Sequence, residues 1–593
     1  MNGIRLKDVA DIDNLKKGVR FVKQDKAEER IHCPLYDLPY LWKIEEKLSD
    51  LSTRLKNGTY QPQKCTILEV VKSSFTTRPI SHINIEDWIV AQAILNKVAP
   101  VLDEKIPSNS FAYRLNPNRD KSSKHKFFKA WYRDWPKFMK KIRDSVGGAL
   151  PCLLVTDIAG YFENIDLDRL KQMIIGEGVS QQVADLLGMQ LESWTWRHLY
   201  VIHRQRGLLQ GNAASYFYAN FYLYDTDEYY KDSGIVYHRF NDDMNIHAKS
   251  RSEAKRILVR HNQFLRNKGL TLNTAKTYIL EGDEIENRFL FSLMDEIEVL
   301  LKDIKKNGDS SQLKRKRRDI YKKILNKDGL NSYLFRRLLT AYIQTRDSTL
   351  FRNSMEYVEL YPDLTDKLCH YYRSLKNGNK VAESLLEFLA DDSKNLFPSQ
   401  EQRITECLLD IDIVSQNIWK RITELSIAKV HDKECNYYSK ALYSLLLYKY
   451  GGREELQKVT GIYLHGGETE PVLKKYLALG ATRLAGDQAL KDVIERLKRE
   501  ANPELTELGV FLDEARKVDP VNSLLKHVNL RTFHFGKDKV LTLDTRSIIL
   551  LNILKYNKEG TNTQLLENHI NRYKTKIASK RILQLLDEII ARL

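Results

Sequence analysis

Cysteine is scarce in this chain and poorly placed for chemistry. The 593 residues carry six cysteines, Cys33, Cys65, Cys152, Cys369, Cys407 and Cys435. No two of them form a CxxC or CxxxC pair, which argues against a structural zinc site and a disulfide framework. Long apolar runs are absent too: no stretch approaches the roughly 18–20 residues needed to span a bilayer. The first residues, Met1 to Asp8, are charged and lack the apolar core of a secretory leader. These absences lead us to expect a cytoplasmic protein in a reducing compartment, with no membrane partner. Acidic residues are also under-represented, with 78 Asp and Glu against 95 Lys and Arg, a formal net charge of +17. Such an excess suits a polyanionic partner, because clustered cations gain affinity by releasing counterions from phosphates. A merely basic cytoplasmic protein is the plain alternative. At 42% hydrophobic and 29% charged residues, the chain can bury a substantial core.

Its texture changes along its length. Residues 1–60 carry short helical patterns such as Leu38 to Leu55, closed by the breaker Gly58. Residues 61–295 mix helices with β-type runs, among them Thr66 to Val71, Cys152 to Thr156 and Ile235 to Phe240. Across 296–593 strand signals almost vanish, and Leu-rich segments with helical spacing follow one another: Tyr333 to Ile343, Ser384 to Leu389, Ala441 to Tyr450, Leu473 to Leu484 and Ile582 to Leu593. Serial short helices predict an all-α, helical-repeat-like region resembling a solenoid. No clean repeat consensus is present, so an irregular helical bundle stands beside that reading.

Two places put carboxylates where they are costly. Asp157 ends the apolar run Leu153-Leu154-Val155-Thr156, and Asp242-Asp243 falls between two β-like runs at a predicted hairpin turn, where Asn241 suits the tight backbone. A buried or crowded carboxylate needs a cation or a counter-charge to offset its desolvation and repulsion. A solvated turn is the bland reading of any single Asp-Asp. Two-metal phosphoryl transfer requires clustered carboxylates, holding two Mg²⁺ ions about 3.5–4 Å apart.

The surrounding blocks resemble the reverse transcriptases over residues 64–292. Thr77-Arg78-Pro79-Ile80 through Ile85 to Ile94 is similar to the fingers segment of group II intron and retron-type enzymes, and Ser110-Phe111-Ala112-Tyr113-Arg114 to the short block after it. Asp157 to Phe162 resembles the first palm motif, Gly207-Leu208-Leu209-Gln210-Gly211-Asn212-Ala213-Ala214-Ser215 the second, Phe240-Asn241-Asp242-Asp243 the Tyr-x-Asp-Asp block and Gly269 to Thr277 the fourth. The order of all six is that of the family. Phe240 and Asn241 depart from the usual Tyr and small residue, and Leu209 from a common Pro. These positions border the primer end and template strand.

The resemblance implies an α+β right-hand polymerase of fingers and palm, followed by the helical region, that adds dNTPs to nucleic acid. Asp157, Asp242 and Asp243 would be the catalytic metal ligands, with the Ile158 carbonyl a further one, holding two Mg²⁺ ions for which Mn²⁺ could substitute. Phe162 would pack under the incoming sugar and exclude a 2′-hydroxyl. Arg78 and Lys72 would grip the triphosphate, and a solvated strand face is the other reading of Lys72. Gln210 and Gly211 would meet the nucleotide or the template base. Lys276 would protonate the departing pyrophosphate, with an ordinary surface lysine as the alternative.

Two basic segments complete the expectation of RNA or DNA as partner. Residues 119–143 interleave Lys124, Lys126 and Lys129 and further lysines with Phe127, Phe128, Trp131, Tyr132 and Trp135, a pattern that grips single strands or simply builds an amphipathic helix. Arg114 lies just before it. Lys314-Arg315-Lys316-Arg317-Arg318 falls where a thumb would lie and is expected to contact nucleic acid. Maturase, HNH and RNase H patterns are not evident, and Val459-Thr460-Gly461 stands too far downstream to be the retron block. A palm followed by some 300 helical residues resembles the abortive-infection and related anti-phage defence enzymes of bacteria. That group implies a homo-oligomer or a partner protein, and DNA made either by copying a dedicated non-coding RNA or without a nucleic-acid template. A catalytically silent RNA-binding palm and an RNA-templated RNA polymerase are the competing expectations.

Overall fold

The computed structural model describes residues 3–26, 35, 37–122, 124–146, 149–195, 206–326, 329–468, 470–484, 487–516, 521–536, 538–557 and 560–593. Cys33 lies outside them. The chain divides into two compact units. One comprises Met1–Ile31, Lys43–Leu68 and Pro79–Ser292; the other comprises His32–Trp42, Glu69–Arg78 and Leu293–Leu593.

The first unit is mixed α and β. Its strands are β1 (Thr66–Val71), β2 (Thr77–His82), β3 (Cys152–Thr156), β4 (Tyr237–Phe240), β5 (Asp243–Ala248) and β6 (Tyr278–Glu281). β1 and β2 pair as a hairpin, whose outer part, Glu69–Arg78, groups with the second unit. The other four form an antiparallel sheet in the order β4-β5-β3-β6. Side chains alternate between faces of a strand. Cys152, Leu154, Tyr237, Met244, Ile246 and Ala248 share one face, which packs on Ala254 and Ile257 of the helix Arg251–Arg266 and on Tyr230. Leu153 is also fully buried, so β3 is covered on both faces and reads as an unbroken apolar run.

Helix α1 (Ile85–Lys105) is buried along most of its length and begins at Asn84, whose side chain accepts the Asp87 N–H at 2.8 Å. The N-terminal helix Ile12–Lys26 packs on it, so these early residues belong to the mixed unit. The expected Leu38 to Leu55 helix is two helices, Leu38–Trp42 and Ile44–Lys56, and they fall in different units.

The second unit is mostly helical. Ser332–Thr345, Thr365–Ser374, Pro398–Asp410, Tyr437–Tyr450, Pro471–Leu479 and Pro503–Ala515 pack in series, each on the next. Between them in sequence run Gly378–Ala390, Gln416–His431, Arg453–His465 and Asp487–Lys498, of which the first packs on the second and the third on the fourth. The near absence of strand expected here is corrected by an antiparallel hairpin, Leu530–Phe535 with Asp538–Leu543. Gly536, in the two-residue connection between the strands and at φ 60°, is the turn signal that marks this hairpin in the sequence.

Candidate active site

Three carboxylates meet where β3 and β5 begin to part. Thr156 pairs with Met244, so the next residues along that register, Asp157 and Asp243, face one another on the same side of the sheet. Phe240 pairs with Asp243, leaving Asn241 and Asp242 as a two-residue turn. Asn241 adopts a left-handed backbone (φ 60°), which its short polar side chain tolerates better than most. Asp157 is 6% exposed. Burial pushes the Asp242 carboxyl above the ordinary carboxylate range, and the neighbouring charges of Asp243 and Asp157 push it further. Burial and then Asp157 do the same to Asp243. Carboxyls crowded in a poorly solvated pocket are tolerated by keeping a proton or by gaining a cation.

Lys276 supplies part of that positive charge. Its Nζ stands 3.1 Å from Asp157 Oδ2, on a short 3₁₀ turn, Thr274–Lys276. Burial works against its protonated form, but the Asp157 charge and hydrogen bond outweigh this and raise its pKa. Asn273, which the sequence reading passed over, holds Asp157 twice: its backbone N–H donates to the Asp157 carbonyl (2.8 Å) and its Nδ2 to Asp157 Oδ2 (2.9 Å). Ala159 N–H donates to the Thr271 carbonyl at 2.8 Å. This bridge therefore uses the groups on either side of Ile158 and leaves the Ile158 carbonyl out of it.

Beneath the turn lies a second group that sequence reading missed. Arg239 and Asp227 are both fully buried and paired, with Arg239 Nε donating to Asp227 Oδ1 at 2.9 Å. Arg239 Nη1 also donates to Asn220 Oδ1 and to the Asn241 carbonyl, each at 2.8 Å. It thus fixes the backbone immediately before Asp242. Little in the sequence signals this pair, since Asp227 is one of four acids in the helix Tyr224–Asp232 and Arg239 stands in the polar strand Tyr237-His238-Arg239-Phe240. On the other face of β4 and β5, burial lowers His238 to about 4 and His247 to about 3. Both are neutral at pH 7, so neither counters the carboxylates.

The motif Gln210-Gly211 is locked against the end of β2. Ser81 N–H and Oγ both donate to the Gln210 carbonyl, at 2.7 and 3.0 Å. Gly211 has φ 127°, and a Cβ there would lie 2.6 Å from the Ser81 carbonyl oxygen. Only glycine fits. Asn212 then caps the helix Ala213–Tyr222 by accepting the Ser215 N–H at 2.9 Å. Leu208 N–H donates to the Phe162 carbonyl at 2.7 Å, tying this segment to the one after Asp157. The Phe162 ring is buried against Tyr216, centroids 5.4 Å apart, and Tyr216 stacks on Tyr113 at 4.6 Å.

Other expected residues lie elsewhere. Lys72 (half-buried) and Arg78 (exposed) sit on the hairpin segment of the second unit, where Phe75 stacks on Phe397 and Ser399 Oγ accepts the Val71 N–H at 3.1 Å. Arg114, expected at nucleic acid, is half-buried, and its guanidinium bonds Asp103 (2.7 Å) and the carbonyls of Pro107 and Ser110. Arg317 is corrected as a nucleic-acid contact, being fully buried between Asp309 (3.0 Å) and Asp347. Its neighbours Lys314, Arg315 and Arg318 are exposed, and Lys316 is half-buried. Lys124 and Lys129 are exposed, Lys126 half-buried, while Phe127 and Phe128 enter the core.

The donor set, three carboxylates and a carbonyl, suits a hard divalent cation. Among the described residues, however, no three His, Cys, Asp or Glu side chains converge closely enough to hold an ion as they stand.

Comparison with known proteins gives the family of this region. No curated protein matches the chain. Among solved structures, it is similar to apo telomerase from Candida tropicalis, at 12% identity over 76% of this chain and 69% of that one, with a TM-score of 0.28. Telomerase from Candida albicans in complex with the TWJ fragment of telomeric RNA gives 12% identity over 76% and 71%, with a TM-score of 0.27. Residues 70–307 match the family described as reverse transcriptase (RNA-dependent DNA polymerase). The chain thus carries a reverse-transcriptase domain and is a nucleotidyltransferase of that kind.

Proposed function

We propose that this protein is a DNA polymerase that adds dNTPs to nucleic acid, and that it serves bacterial anti-phage defence as an oligomer or with a partner protein. The observation that carries the catalytic part is the placing of Asp157, just past β3, opposite Asp243 at the start of β5 and near the turn residue Asp242, with Asp242 and Asp243 held above the ordinary carboxylate range by burial and neighbouring charge. Asp157, Asp242, Asp243 and the Ile158 carbonyl would hold two Mg²⁺ ions, or Mn²⁺ in their place. Such ions, when bound, neutralise the charge that develops on the attacking 3′-oxygen and the leaving pyrophosphate.

The protein's own residues do the rest. Lys276, paired with Asp157, is placed to give a proton to the leaving group. Phe162, backed by Tyr216, offers a stiff wall against a 2′-hydroxyl. Gln210 and Gly211 bring backbone close to the nucleotide or its template base. Lys72 and Arg78 would bind the triphosphate, and exposed Lys124, Lys129, Lys314, Arg315 and Arg318, with Lys126 and Lys316, would contact RNA or DNA. In this reading the mixed sheet is the palm and the β1–β2 hairpin part of the fingers. The serial packing of helices in the second unit supports a solenoid-like extension, as in the defence-associated enzymes. It copies a non-coding RNA or works without a template.

The test is Mg²⁺-dependent incorporation of labelled dNTPs by the purified chain, supplied with candidate RNA and partner proteins. Asp242→Ala should abolish it. Equal product from wild type and Asp242→Ala would sink the proposal. Phe162→Ala should admit rNTPs, and a wild type that already prefers rNTPs would mark an RNA polymerase instead.

A further inference from the structure

Helix α2 (Trp131–Ser145) turns Phe138, Met139 and Ile142 into the core. Trp135 packs edge-on against Phe240, centroids 5.0 Å apart, and Phe240 is the residue before the Asn241-Asp242 turn. The same stripe continues one turn back to Trp131, which is 59% exposed, and its neighbour Tyr132 is 54% exposed. Their rings stand 6.2 Å apart at 82°. Large rings left in solvent as a pair are unusual and mark a contact surface.

The chemistry around them selects the partner. Lys129, Arg133, Lys140 and Lys141 are exposed on this segment. Asp134 is buried and paired with Lys137 at 2.7 Å, which leaves Asp144, at the far end of the helix, as its exposed carboxylate. Rings framed by cations suit bases joined by phosphates; a protein partner would have to bring an apolar patch ringed by acids.

We propose that Trp131 and Tyr132 form a stacking shelf for single-stranded nucleic acid, one helical turn (about 6 Å along the axis) from the ring that packs on the catalytic turn. The proposal rests on the polymerase reading of this unit. A base stacks on Trp131 with Tyr132 at its edge, and the flanking cations hold the phosphates on either side.

Anisotropy with a fluorescein-labelled, mixed-sequence 20-nucleotide single strand, DNA or RNA, tests this in the full chain. Trp131→Ala/Tyr132→Ala should raise Kd about tenfold or more without changing the slope of log Kd against log salt. Trp131→Phe/Tyr132→Phe should stay within about threefold. Lys129→Ala/Arg133→Ala should reduce the salt slope instead. Quenching of tryptophan fluorescence by the strand should diminish in Trp131→Phe, which provides a readout should the alanine pair fold poorly. Unchanged binding by the alanine pair, with quenching retained in Trp131→Phe, overturns the shelf. Unchanged binding combined with lost self-association would assign the rings to a protein contact and overturn it equally. Wild type that binds through these rings yet incorporates no dNTP would sink the polymerase reading and leave the shelf standing.

Discussion

The buried arginines of the second unit and the carboxylates of the candidate site in the first meet burial in opposite ways. In the second, three inward-turned arginines are met by carboxylates, Arg317 by Asp309 and Asp347, Arg373 by Asp410 at 2.8 Å and Arg483 by Glu588 at 2.9 Å. Buried Lys449 and Lys555 donate instead to the Leu409 carbonyl and the Asn552 amide oxygen, and burial lowers them to about 8 and about 7. In the first, Arg239 and Asp227 make an ion pair, but above it Asp157, Asp242 and Asp243 crowd together with Lys276 against them. Paired buried charge is compatible with a purely structural role. Crowded carboxyls must keep a proton or gain a cation, and this separates the candidate site from those ion pairs.

Substitutions at the two buried arginines should separate these roles most sharply. Removing either leaves a carboxylate without its partner, so Arg239→Ala and Arg317→Ala should each lose about 3–5 kcal/mol of stability in urea melts. Assayed well below their melting temperatures, Arg317→Ala should keep its dNTP incorporation per folded molecule, while Arg239→Ala should lose it by tenfold or more. Equal activity of the two would break the distinction.

A glycine substitution comes next. Gly211→Ala forces a Cβ onto the Ser81 carbonyl at an unfavourable φ, which costs of order 1–3 kcal/mol. It should also cut incorporation, whereas Gly461→Ala, within a helix of the second unit and with open space around its Cβ position, should stabilise by about 0.4–1 kcal/mol. Thermal melts and incorporation assays check both.

The third comparison concerns the acids. Asp243→Asn should abolish incorporation yet stabilise the metal-free protein by about 0.5–2 kcal/mol, as removal of a strained functional group commonly does. Asp347→Asn, which leaves Arg317 short of a counter-charge, should do the reverse in melts.

The smallest effect is on pH. A carboxyl whose folded pKa is raised keeps its proton in the folded state after the unfolded chain has lost it. Stability from Asp242 and Asp243 therefore falls as pH rises above the ordinary carboxylate range. Mg²⁺ should accordingly raise the melting temperature more at pH 8 than at pH 5. A shift that is equal at both values would show that the carboxylates are not where the ion binds.

Much of the site was legible in the sequence because its parts are local. An apolar run ending in Asp157, an Asn before Asp-Asp and a Gln-Gly turn each advertise themselves within a few residues. What escaped depends on partners far along the chain. Asn273 lies 116 positions from the Asp157 it holds, and Tyr113 stacks on Tyr216 through folding alone. Arg317 misled because, in a run of cations, sequence does not say which one turns inward to meet Asp309 and Asp347. The grouping of 32–42 and 69–78 with the helical unit was likewise invisible, since it is set by packing across hundreds of residues.

The ion pair between Lys276 and Asp157 gives the site a resting state of its own. A tethered ammonium 3.1 Å from the carboxylate acts as a placeholder that limits the pocket's self-repulsion between encounters. A cation taking Asp157 Oδ2 would compete with this ammonium and with the Asn273 amide, which donates to the same oxygen. Under the proposed function, loading of the pocket and release of its proton donor would be a single exchange.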